Sequence, residues 1–323
     1  MDSYIFKNSD NEIGYYQKYS DYGYIYLKKH IFSGSSDIRK VDLSTWTSFL
    51  QNPSSQPLPV ISKDPICREI GYYSWYNYIN NCPDIVEAVK ISDTGLFFCR
   101  TNRNEPGLYE FTYSENNVTD EVRAYNNITS YLLNIFDFIE PDYKNLSAFG
   151  NKIRELLILS CTEVEYLLSS FLKDNNFKIE KGFLTMKHYV KALSLLKLNQ
   201  YEVKLILFPS LGKFSPFKVW DELEPSKTLP WYASYNAIKH NRGDNKGLAT
   251  LANLINAVAA IHILIESQYG AFIFDKPLHS NYESVFITNE NPTWEIQDMQ
   301  APLLKDDAFE WTGRKKIFDN ITQ

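Results

Sequence analysis

The chain is poor in the residues that staple, bind metal or cradle phosphate. Its cysteines, Cys67, Cys82, Cys99 and Cys161, form no CxxC pair, and no histidine stands at ligand spacing from them. That excludes a disulfide framework and a zinc-finger arrangement and favours reduced thiols in a cytoplasmic protein. No glycine-rich phosphate loop, HExxH, GxSxG or kinase signature occurs, which weighs against an ATP-dependent enzyme, a zinc protease or an α/β-hydrolase. Basic charge is not in excess. The net charge of −6 argues against a broad basic coat for nucleic acid, though not against a small basic site. The opening MDSYIFKNSD lacks the basic start and apolar run of a secretory leader. No apolar run reads as a bilayer span, since even LANLINAVAAIHILI carries Asn and His.

What is present fits a globular protein of two domains, or of one large domain with an elaboration. The 323 residues are 44% hydrophobic, enough for a sizeable core. Aromatics are abundant, with 23 Tyr, many of them alternating near the start, which favours strands. YGYIYLKKHIF (Tyr22 to Phe32), TGLFFCR (Thr94 to Arg100) and GLYEFTY (Gly107 to Tyr113) are bounded by turn formers and read as strands. QNPSSQPLPV reads as a loop, and Arg68 to Asp84 as a short helix ending before Pro83.

After Thr119 the period changes to that of helices. One helix stops at Pro141. Asn151 to Lys173 is the strongest, with Ile153, Leu157, Ser160, Val164, Leu168 and Phe171 on one stripe. Phe183 to Leu198 predicts a further helix, and Tyr201 to Ser210 a short strand or extended segment. Pro230 suits the first position of a helix running to about Arg242, followed by a polar loop bracketed by Gly243 and Gly247. The last helix ends near Gly270. It is apolar on several sides, so it is either central in the bundle or at a dimer interface. The whole reads as α+β, with a β-rich module over 1–118, a helical bundle over 119–270 and an irregular or β tail over 271–323.

The stretch WYASYNAIKHNRGDNKG (Trp231 to Gly247) concentrates polar chemistry. Asn236 and His240 are one helical turn apart and share a face, with Lys239 beside them and Arg242 just past the helix end. Lys239, Arg242 and Lys246 outweigh Asp244, a balance that suits an anion such as a phosphodiester. The plainer alternative is a solvated helix end whose cations complement the helix dipole.

Three stretches, TEVEYLLSSFLK, PWYASYNAIKHNR and the apolar helix after the polar loop, resemble HEPN domains, a helical family found in many bacterial and archaeal toxin and phage-defence systems. The resemblance covers Asn151 to Gly270. It implies a bundle of four or five helices, usually dimeric, whose ribonuclease members cut RNA without metal at the dimer interface. Their motif is an arginine, usually a polar residue such as asparagine, and then a histidine. Asn236 and His240 fall on the last two positions, and Tyr235 stands where the arginine is expected.

What the resemblance implies is an RNA-directed protein, a metal-independent ribonuclease effector of stress or phage defence. His240 would act as general acid or base. Lys239 and Arg242 would neutralise charge developing on phosphate, and Asn236 would position the phosphate or the ring. Lys246, Tyr235 and Trp231 join the binding candidates, Trp231 as a packing anchor or a base-stacking ring. Glu163 is the carboxylate best placed to orient the imidazole, while Glu165 is assigned to solvent. No cofactor, metal or membrane is expected. The expected partners are RNA, a second copy through the bundle and a protein partner through the N-terminal module. The alternatives are an inactive RNA-, nucleotide- or protein-binding module, or a dimerisation element of a larger assembly. His262 reads as a hydrogen-bonded core residue, and Arg100 and Arg103 as a solvated loop.

Overall fold

The computed structural model describes residues 1–27, 37–52, 62–78, 84–103, 105, 115–179, 181–274, 284–315 and 317–318. The predicted strand at 107–113, most of the proline-rich loop and the second half of the 22–32 segment lie outside the described residues. The elements run β1 (Asp2–Asn8), β2 (Ile13–Lys18), β3 (Tyr22–Leu27), β4 (Arg39–Asp42), α1 (Leu43–Gln51), α2 (Pro65–Asn77), β5 (Ile85–Ile91), β6 (Leu96–Phe98), α3 (Glu115–Phe136) and α4 (Asn151–Asp174). They continue with α5 (Met186–Tyr189), α6 (Lys191–Leu195), β7 (Glu202–Leu205), α7 (Pro230–His240), α8 (Arg242–Asn245), α9 (Leu251–Tyr269), β8 (Phe286–Glu290), β9 (Leu303–Lys305), β10 (Ala308–Glu310) and β11 (Gly313–Lys315). The fold is α+β, and its contacts divide it into two units.

The first unit comprises Met1–Phe97, Arg103–Phe111 and Trp294–Lys315. Its antiparallel sheet has the order β4-β3-β2-β1-β5. Both faces are covered, which is why the neighbours Tyr15 and Tyr16 are both buried. Phe6, Tyr16, Ile25 and Val41 pack under α1 and α2 with Trp46, Ile70 and Tyr73. Ile5, Tyr15, Tyr24 and Tyr26 face Ile296, Ala301 and Leu304 of the C-terminal segment. Fully buried Gln17 fastens that segment, donating to Pro302 O at 2.6 Å and accepting from Leu304 N at 2.9 Å.

The expected separate tail is therefore redistributed, since 294–315 completes this unit and β8 pairs with β7 in the other. The partners lie more than 280 residues apart, beyond the reach of local periodicity. Gly14 faces Phe6 across the β1–β2 pair, and a Cβ there would lie 2.1 Å from the Phe6 ring and 2.6 Å from Tyr26 O.

The second unit comprises Phe98–Asn102, Thr112–Thr293 and Lys316–Gln323. Its axis is α9, which packs against α3, α4 and α7. Every residue of α9 from Ala257 onward is buried, so this helix is the centre of the unit. It is long and apolar enough to cross a bilayer by length and composition, but its apolar surface is spent on the other helices. The helix predicted over 183–198 is interrupted. It forms only α5 and α6, and Lys197 then takes the left-handed region at φ 49°.

Gly14→Ala should destabilise the sheet unit by about 1–3 kcal/mol through overpacking. Hydrogen exchange should accelerate in β1–β3 amides and stay unchanged in α9. Equal protection in mutant and parent would mean that the ring and strand relax freely around the new methyl.

Candidate anion-binding site

Helix α7 begins with Pro230, whose missing N–H costs nothing at that position. Trp231 is buried, and its Nε1 donates to Pro216 O at 3.0 Å. Beside it Trp220 donates to Pro225 O at 3.0 Å, so the two rings tie the preceding proline loop down. Trp231 is thus an anchor of the helix start, the first of its two readings, and its buried ring offers no surface for the alternative of base stacking. Tyr235 is buried too, and its hydroxyl accepts from Lys239 Nζ at 3.0 Å. A buried phenol occupies the position where the resemblance expects an arginine.

The other end of α7 is open. Lys239, His240, Arg242 and Lys246 are exposed, and Asn236 is half-buried. The corner that carries them is built by asparagines. Asn241 closes α7 and opens α8, and its Nδ2 donates to Asp244 at 2.8 Å. Asn245 Nδ2 donates back to Asn241 O at 3.0 Å and to Ala237 O at 3.2 Å. The expected RGDNKG loop is therefore a short helical turn followed by a 3-10 turn, Lys246–Leu248. Its one acid is engaged by Asn241. Among the described residues, no ion pair or side-chain hydrogen bond ties up Asn236, His240, Arg242 or Lys246.

Neither carboxylate of α4 stands where it was expected. Glu165 faces α7, and its Oε1 accepts from the Tyr232 hydroxyl at 2.6 Å. Burial, and then that bond, push the Tyr232 phenol well above its usual range. Glu163 lies toward α3 instead, where burial and then the charge of Glu121 raise its pKa to about 7. The reason is the width of the buried arc. Leu156, Cys161, Leu167 and Leu172 are buried beside the narrow stripe seen in the sequence. At ~100° per residue this places Glu163 and Glu165 on opposite edges of the arc, each ~100° from its centre. Glu163 is therefore not brought to His240.

Two polar features inside the unit complete its description. His262 is held by Ser284 (2.8 Å, at Nδ1), Thr288 (3.1 Å, at Nε2) and Glu266 (3.2 Å) and stacks on Phe274. Ser284 Oγ is also bonded to the Tyr125 hydroxyl and to Phe286 N, so its hydrogen-bonding capacity is used up and it is no free nucleophile. Arg100, expected in solvent, is buried in left-handed backbone at φ 52°. It donates to Gln268 at 2.6 Å and Glu121 at 2.7 Å, and Tyr269 donates to the other Glu121 oxygen at 2.5 Å. Arg103 is buried as well, in the first unit, and donates to Asp298 O. Neither burial carries a local sequence signal, because each partner lies more than 160 residues away or on another element. Among the described residues, no group of three or more His, Cys, Asp or Glu is placed to hold a metal ion.

Compared with known proteins, the chain matches no family model, no curated protein and no solved structure.

Glu163 supplies a pH test of this packing. Its folded pKa of about 7 lies above its ordinary 4.5. Between those values the folded chain binds more protons than the unfolded one, so stability falls as pH rises through the window and levels off above it. Glu163→Gln should reduce this loss, read as a smaller drop in the urea midpoint of the helical unit between about pH 5 and about pH 8. An identical drop in the mutant would locate the titration elsewhere.

Proposed function

We propose that the helical unit is an RNA-directed module of a cytoplasmic protein, and that the corner from Lys239 to Lys246 binds the phosphate backbone. The observation that carries this reading is the open corner itself. In a chain of net charge −6, three cations and an imidazole are exposed within eight residues, and the one acid in that stretch, Asp244, is engaged by Asn241. Charge-assisted hydrogen bonds from lysine and arginine suit phosphate oxygens. The likeness of PWYASYNAIKHNR to the HEPN motif supports the same ligand class.

The ribonuclease reading rests on Asn236 and His240, which remain one turn apart on α7 with the ring accessible. His240 would take or give the proton of a 2′-hydroxyl attack, and Lys239 and Arg242 would stabilise the phosphorane. Binding without turnover is the better supported of the two. The arginine position holds a buried tyrosine, and among the described residues no carboxylate orients the His240 ring. A homodimer through this unit would have to use outer faces such as those of α3 and α4, where Tyr131, Leu159 and Tyr166 are exposed, because α9 is enclosed. The sheet unit is the proposed site for a protein partner.

Binding of a labelled oligouridylate should weaken in Arg242→Met/Lys246→Met. The slope of log affinity against log salt should become shallower by about 1.4, or ~0.7 for each lost contact to a single strand. An unchanged slope would remove these residues from the interface. In EDTA, total tRNA should stay intact with both the parent and His240→Ala. Cleavage by the parent alone would restore the ribonuclease reading and give His240 its catalytic role.

A further inference from the structure

The corner has an aromatic neighbour that comes from a distant part of the chain. Residues 146–149 run antiparallel to the chain that leaves the corner. Phe149 forms a bridge with Thr250, Leu251 N donates to Ala148 O at 2.8 Å, and Ala252 N donates to Leu146 O at 2.9 Å. Thr250 is the cap of α9 and stands just beyond the Lys246–Leu248 turn. Lys246 and Thr250 are four residues apart, at most ~14 Å if fully extended, and the 3-10 turn shortens that span. Bridged partners stand ~5 Å from each other. Backbone contacts therefore hold Phe149 at the edge of the corner.

Phe149 is 55% exposed, and among the described residues no other ring contacts it. Leu146, on the same segment, packs against the core. The ground beside the ring and beside the corner is open, since a Cβ added at Gly150 or at Gly247 would meet nothing within 4 Å. A single exposed ring is ordinary on a protein surface. A ring fixed beside cations that have no partner among the described residues is the combination that single-strand binding uses. Basic groups follow the phosphates, and an aromatic face takes a base. A base inside a duplex is stacked on both faces, so only an unpaired strand can offer one to the ring.

Resting on the RNA-directed reading, we propose that the ligand of the corner is single-stranded, and that one of its bases stacks on Phe149 while its phosphates lie on Arg242 and Lys246. Phe149 then supplies the platform that buried Trp231 does not. The ring contributes affinity that depends on the base and is independent of salt, whereas the cations contribute affinity that depends on salt and is independent of the base.

The test compares affinity for oligoadenylate with affinity for an abasic oligomer of equal length and charge. Phe149→Ala should weaken oligoadenylate binding about tenfold and leave the abasic oligomer bound as before. Its slope of log affinity against log salt should not change, because no phosphate contact is lost. Phe149→Trp should bind oligoadenylate at least as tightly as the parent. Phe149→Leu, which keeps apolar bulk without a ring, should behave like Phe149→Ala. Full oligoadenylate affinity in Phe149→Ala, or equal losses for the two oligomers, would overturn the stacking, while the salt slope of Arg242→Met/Lys246→Met would still report on the phosphate contacts. Full affinity in Phe149→Ala together with loss of a parent dimer in sedimentation would overturn it too and make the ring an interface between copies. No binding of either oligomer by the parent would overturn both the stacking and the RNA-directed reading.

Discussion

Helix α9 has almost no face left for water. An apolar helix of 19 residues must be enclosed, and the rest of its unit follows from that demand. α3, α4 and α7 pack around it. The polar groups it carries into the interior must each find a partner. Gln268 accepts from Arg100, which draws the 98–102 segment into the unit. His262 and Glu266 take Ser284 and Thr288, which fixes the approach to β8 and β8 itself. Glu121 shares Arg100 and Tyr269, joining α3 to the same network. A buried arginine with its acid is costly to separate, since removing either leaves an unpaired charge in the core.

That enclosure also decides what remains outside. α7 gives its start to the core through Trp231, Tyr232 and Tyr235. Its C-terminal turn continues past the packed surface, where the asparagines at 241 and 245 bend the chain into α8. Lys239, His240, Arg242 and Lys246 are exposed there because the core has no room for them and no acid to pair with most of them. The favourable end of the helix dipole for cations lies at the same place, so the charges cost little to hold in the absence of a ligand. The phosphate proposed above would thus meet charges that the helix end already tolerates, which suits reversible binding.

Much of this was legible from residue spacing. The helical period marked α3, α4, α7 and α9, and the all-round apolarity of Leu251–Tyr269 narrowed its place to a bundle centre or a dimer interface. The grouping of Asn236, Lys239, His240 and Arg242 could be read directly, because all lie on one helix and its exit. Three things could not be read. Tyr15 and Tyr16 are adjacent and both buried, because the sheet is covered on two sides, one of them by a segment from the far end of the chain. Arg100 looked like a solvated cation because its partners come from three other elements. Glu165 was assigned to water because a narrow apolar stripe hid the real width of the buried arc of α4, and only the position of α7 tells its two edges apart.

The central claim is that an anion docks on the corner formed by α7, α8 and the turn after them. Lysine-reactivity footprinting on the intact protein tests it most directly, with a soluble acetylating reagent in the presence and absence of oligouridylate. The account predicts that Lys239 and Lys246 lose reactivity when the oligonucleotide is bound. Lys152 and Lys227, exposed elsewhere on the same unit, should react as before. Protection spread evenly over all four lysines, or confined to Lys152 and Lys227, would contradict it.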